Sequence, residues 1–113
     1  MKSFIQAFNG KVRVRIVAHF WEPIMSAPVI DIHPHIISAD MQRYPHAPLY
    51  GIQSTWSKDR PADVDQLLEA MDEAGVAKAA IVHASTCYGF DNSLVADAAV
   101  THAGRCTAVG PWT

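Results

Sequence analysis

Two cysteines, Cys87 and Cys106, are all the chain has. They are too few for a disulfide scaffold, and a reducing cytoplasm is the setting they suggest. Charge of one sign is also missing: nine Lys and Arg stand against eleven Asp and Glu, a formal net charge of −2. Such a balance offers no electrostatic case for nucleic acid or an anionic membrane surface. Nowhere does the chain reach the roughly 18 uninterrupted apolar residues of a membrane span. Internal repeats and low-complexity tracts are absent too. What is present is a globular composition, 50% hydrophobic and 18% charged over 113 residues. That is one domain at most, large enough to bury a modest core.

Acidic residues are missing locally as well. Residues 1–24 hold Lys2, Lys11, Arg13 and Arg15 but no carboxylate before Glu22. A secretory signal is not expected, because Arg13, Arg15 and His19 break the apolar stretch and no clear small-residue cleavage site follows. An organelle-targeting segment would be richer in serine. Alternation of Val12, Val14 and Ile16 with Lys11, Arg13 and Arg15 suits an exposed strand. Met25-Ser26-Ala27-Pro28 resembles a natural start directly before the first core strand. Residues 1–24 are therefore expected to be an extension arising from an early start codon, and 25–113 the folded part.

The most informative run is Asp31-Ile32-His33-Pro34-His35, set in the apolar segment 29–37. On a strand, residues two apart project to the same side, so Asp31, His33 and His35 would share one face. Buried polar groups need partners, and two neutral imidazoles two residues apart can bind one metal ion.

Beyond residue 29 the pattern alternates. A first strand over 29–33 is followed by an irregular stretch, 38–60, punctuated by Tyr44-Pro45, Pro48, Tyr50-Gly51 and Trp56. Long connections of this kind are more often functional than accidental. A helix is expected from near Pro61, with Val64, Leu67, Leu68 and Met71 as its apolar stripe and Gly75 as its cap. Residues 79–84 read as a buried parallel strand. A second helix, capped by Asp91 or Asn92, carries Leu94, Val95, Ala98, Ala99 and His102, and 106–110 form a third strand. Strands alternating with helices imply an α/β fold with right-handed crossovers and a parallel sheet, ligands gathering beyond the strand C-termini.

These residues resemble a family. Ile30-Asp31-Ile32-His33-Pro34-His35, then Arg43-Tyr44-Pro45, the helix from Gln66 to Val76, and the loop Ala84-Ser85-Thr86-Cys87-Tyr88-Gly89-Phe90-Asp91-Asn92-Ser93 are similar, in that order, to the amidohydrolase-related (amidohydrolase 2) proteins. The likeness runs from about Pro28 to Gly110. It implies a metal-dependent TIM-barrel hydrolase using zinc, with manganese as the alternative. Relatives include lactonases acting on pyrone dicarboxylates and sugar lactones, decarboxylases of aromatic acids and a hydratase. Thr86-Cys87, Gly89 and Asp91-Asn92 look most like the lactonase branch. The resemblance makes His33 and His35 metal ligands and leaves a small-molecule substrate as the partner; it places the catalytic aspartate on a later strand, so no catalytic residue falls in this chain.

The chain also departs from that pattern. A full (β/α)8 barrel needs roughly 200–250 residues, whereas about three strands and two intervening helices are expected here, a partial barrel. His83 stands where relatives commonly carry glutamine, and Pro111-Trp112-Thr113 lacks the usual acidic turn. A truncated, inactive remnant or an interaction fragment is thus the alternative function, and an oligomer remains open.

Each candidate has a plainer role. Asp31 can orient a ligand imidazole or bind backbone amides. His83 can point into the barrel, but an ordinary satisfied histidine is the better expectation. Cys87 has no evident activating base and reads as an unreactive thiol. Tyr44, Ser85, Thr86 and Tyr88 are candidate substrate contacts, against simple turn chemistry. Arg43, Lys58 and Arg60 can pair with an anionic substrate or be solvated; Tyr50 and Trp56 can form a lid or anchor the loop.

Overall fold

The computed structural model describes the backbone of residues 3–8 and 11–16 and all of 27–112. Strands β1 (Ser3–Phe8) and β2 (Lys11–Ile16) pair antiparallel as a hairpin, Phe8 opposite Lys11. A strand at 11–16 was expected; its exposure, and the start proposed at Met25, lie outside the described residues.

The α/β expectation holds for the rest. A three-stranded parallel sheet runs in the order β3-β4-β5, formed by Val29–Asp31, Val76–Val82 and Cys106–Val109. The most apolar strand, β4, is central, where a strand needs partners on both edges. Four helical segments connect the strands: α1 (Thr55–Asp59), α2 (Val64–Ala74), α3 (Ser85–Tyr88) and α4 (Ser93–Thr101). The periodicity predicts only α2 and α4. The single turns α1 and α3 are too short to carry a helical repeat and are set by their contacts.

Helix α2 begins three residues later than Pro61 suggests, because Asp63 takes the cap. Its carboxylate accepts the Gln66 backbone N–H, and the Gln66 side-chain oxygen accepts the Asp63 N–H, each at 2.9 Å. This reciprocal capping box satisfies two amides that a helix start otherwise leaves open. Gly75 closes the helix at φ 71°, ψ 26°, a left-handed conformation that glycine adopts without penalty.

One face of the sheet is covered. Ala79 and Ile81 of β4 and Cys106 of β5 pack with Ile36, Met71 of α2, and Val95 and Ala98 of α4. A second cluster, Ile37, Ala84, Cys87 and Tyr88, joins the loops at the strand C-termini. The opposite face and the β3 edge are open: every residue of β3 is exposed, and Ile32 just beyond it is 73% accessible.

The long connection is stitched down rather than loose. Ala47 N–H donates to the Cys87 carbonyl at 2.8 Å and Leu49 N–H to the Ser85 carbonyl at 3.1 Å. Gly89 makes this approach possible: a Cβ there would lie 2.5 Å from the Ala47 carbonyl oxygen, and its φ is +60°.

Candidate metal centre

The strand leading to the histidines is shorter than the alternation predicts. It ends at Asp31, not at residue 33, after a register shift between Val29 and Ile30. His33 and His35 therefore follow the strand, and the shared face argued from strict alternation does not apply to them. Pro34 has no N–H to extend a ladder, yet its carbonyl accepts the Val82 N–H at 2.8 Å. This backbone bond ties the histidine segment to the end of β4.

The same place orients His35. Its Nδ1 lies 2.8 Å from the Val82 carbonyl oxygen. A carbonyl can only accept, so Nδ1 carries the proton, and the neutral ring keeps its lone pair on Nε2. Metal-ligating histidines commonly have their second nitrogen engaged in this way. The His33 ring stands edge-on to it, centroids 5.1 Å apart at 80°. On the other side Trp56, delivered by α1, lies 5.2 Å from the His35 ring at 33°. Trp56 thus packs against the His35 ring, a contact that neither the lid nor the anchor expectation specified.

Asp31 does not reach an imidazole through any contact seen here; its carboxylate accepts the His33 backbone N–H at 3.1 Å. Among the described residues, no group of three His, Cys, Asp or Glu comes together in a way that could hold a metal ion. The corner supplies two nitrogen donors.

The loop candidates fall into two groups. Ser85 and Thr86 follow β4 and sit at the same C-terminal edge of the sheet as the histidines. The Thr86 hydroxyl donates to Ser54 Oγ at 2.8 Å, and Ser54 donates to the buried Ser57 hydroxyl at 2.9 Å. Tyr44 and Tyr88 are already engaged. The Tyr44 hydroxyl donates to Asp97 at 2.6 Å, a bond that raises its pKa. Arg43 reaches the same carboxylate at 3.1 Å. The buried Tyr88 hydroxyl accepts the Ser38 N–H at 2.9 Å, and burial pushes its pKa up to about 12.

His83 and Cys87 take plain roles. His83 is buried just past the end of β4 and its Nε2 donates to the Gly89 carbonyl at 2.6 Å. Cys87 is buried too, which pushes its thiol pKa up and keeps it protonated. That is opposite to the shift a nucleophile needs. Arg60 and Lys58 are exposed, as is Tyr50.

Two contributors escaped the sequence. Val82 acts through its backbone carbonyl, which no residue identity encodes. Asp97 was unremarkable on α4, yet it fastens both Arg43 and Tyr44 across more than fifty residues. No helix among the described residues is long and apolar enough to cross a membrane. No family model and no curated protein matches this chain.

Proposed function

We propose that this chain provides the first metal-holding corner of a metal-dependent hydrolase resembling the amidohydrolase-related proteins, acting on a lactone or similar carboxylated small molecule. In this proposal residues 25–113 supply about three strands of a (β/α)8 barrel. One observation carries it: the Val82 carbonyl selects the His35 tautomer that presents Nε2 as a lone-pair donor.

The donors suit zinc in kind, because neutral imidazole is a common zinc ligand. In number they fall short of the three or four protein ligands that zinc sites use, so the remaining ligands are assigned to residues other than those described. When bound, a divalent ion supplies Lewis acidity and a water of lowered pKa. This chain's own residues do the positioning. His33 and His35 would hold the ion, the Val82 carbonyl fixes the ring of His35, and Trp56 packs against that ring. Ser85 and Thr86, on the loop after β4, are the substrate contacts of this proposal, since Tyr44 and Tyr88 are held by Asp97 and Ser38. The proton-handling carboxylate is assigned elsewhere, so no residue of this chain is given a catalytic role.

A second function is favoured by the two-donor count and the open β3 edge: a non-catalytic interaction fragment of such an enzyme. Measuring zinc content and lactone hydrolysis on the purified, tag-free chain separates the two. One zinc per chain with hydrolysis that His33→Ala and His35→Ala abolish supports the hydrolase. Histidine-dependent zinc without turnover supports the fragment. Failure to take up zinc at millimolar concentration overturns the hydrolase.

A further inference from the structure

Away from the His33–His35 corner, a cleft of about 430 Å³ opens between the long connection and the first turn of α2. That volume is within the range of small-molecule sites. Its walls include the apolar side chains of Ile37, Met41 and Pro61.

The polar groups on the cleft differ in how far they are already committed. Asp63 and Gln66 bind each other's backbone through the capping box. The Ser57 hydroxyl donates to the Ser54 carbonyl at 2.9 Å. His46 is different: its ring is held edge-on to Tyr88, centroids 5.5 Å apart, and its buried Nε2 has no hydrogen-bond partner among the described residues. A buried polar atom left so costs free energy that a partner recovers. Lys58, exposed at the rim, makes no ion pair among the described residues.

We propose that this cleft binds a small carboxylic acid with an apolar body, its carboxylate received by the His46 Nε2–H and the Lys58 ammonium. An acceptor is what these two groups lack. The carboxylate on the cleft, Asp63, is locked into the cap of α2, where the positive helix end offsets its charge. A cationic ligand would face Lys58 with no free acid to oppose it, and a purely apolar one would leave His46 unmatched. Neither His33 nor His35 lines the cleft, so this binding is independent of the metal corner.

The test is an ¹H–¹⁵N NMR titration of the full chain in excess chelator. The probes are cyclohexanecarboxylate and its neutral counterpart cyclohexanecarboxamide. The carboxylate is expected to bind saturably, shifting the Ser38, Ser57 and Gln66 amides and the His46 Nε2 resonance while His33 and His35 stay still. The amide lacks the charge that strengthens this contact, so it is expected to bind about tenfold more weakly or worse. Lys58→Met, an exposed change that spares the fold, is expected to weaken the carboxylate by a similar factor and leave the amide unaffected. His46→Gln should weaken both. Equal binding of acid and amide, an unchanged acid affinity in Lys58→Met, or no saturation at all would overturn the proposal. The chelator keeps that outcome separate from any failure of zinc binding.

Discussion

A single backbone carbonyl decides what His35 can do. The Val82 carbonyl accepts a hydrogen bond from the Nδ1–H, and the chemistry left to the ring is an Nε2 lone pair. His83, only one residue after Val82, shows the contrast: its Nε2–H goes to Gly89, burial covers it, and its role is to hold the α3 turn. Gly89 is critical for the same turn. Gly89→Ala places a methyl 2.5 Å from the Ala47 carbonyl oxygen at a positive φ. A loss of roughly 2 kcal/mol or more is expected in a urea denaturation series; a loss below about 0.5 kcal/mol would contradict the close packing. Tyr88 makes a pH-dependent contribution. Its pKa is raised in the folded chain from 10.0 to about 12, by burial first. A raised folded value gives stability that is present in full below pH 10 and lost as pH climbs towards 12. Cys87, raised from 9.0, acts in the same direction from a lower pH. Urea midpoints are therefore expected to fall steeply above pH 10 in the wild type and less steeply in Tyr88→Phe.

At the scale of elements, the amphipathic helices were the most legible parts of the sequence. Val64, Leu67, Leu68 and Met71 repeat at helical spacing and all pack against the sheet in the structure. The cap was harder to place: Pro61 and Asp63 both suit a helix start, and the reciprocal bonds with Gln66 decide for Asp63. Replacing Asp63 with Ala is expected to cost about 1 kcal/mol, read from the thermal midpoint, with Asp63→Asn recovering most of it. An unchanged midpoint in Asp63→Ala would show that the capping box is not closed in solution. The histidine segment was misplaced by two residues for a related reason. Alternation of polar and apolar side chains predicts a strand through residue 33, but strand continuation depends on neighbours. Here β4 ends its partnership with β3 at Asp31 and resumes it once, at Pro34. The turns α1 and α3 carried no periodic signal, so the delivery of Trp56 to His35 was invisible in one dimension.

For the molecule as a whole, an α/β fold with a parallel sheet follows from the order of apolar segments, while the burial of its two faces does not. The helices cover one face. Val29, Ile30 and Ile32 remain 43%, 52% and 73% exposed along the other side and edge. An open edge strand with apolar neighbours pairs readily with other chains. The purified protein is expected to self-associate with rising concentration in light scattering, and Ile32→Lys to reduce this without lowering the thermal midpoint by more than a degree or so. A concentration-independent monomer in the wild type would show that the edge is protected.

The most direct measurement is the ¹⁵N state of His35 during a zinc titration of the tag-free chain. Long-range ¹H–¹⁵N spectra are expected to show Nδ1 protonated and Nε2 bare without metal. Zinc should then move the Nε2 resonances of His33 and His35 together, saturating at one ion per chain, while His83 is unaffected. A proton found on Nε2 of His35, or a zinc response that persists in His33→Ala/His35→Ala, would contradict the metal-holding role.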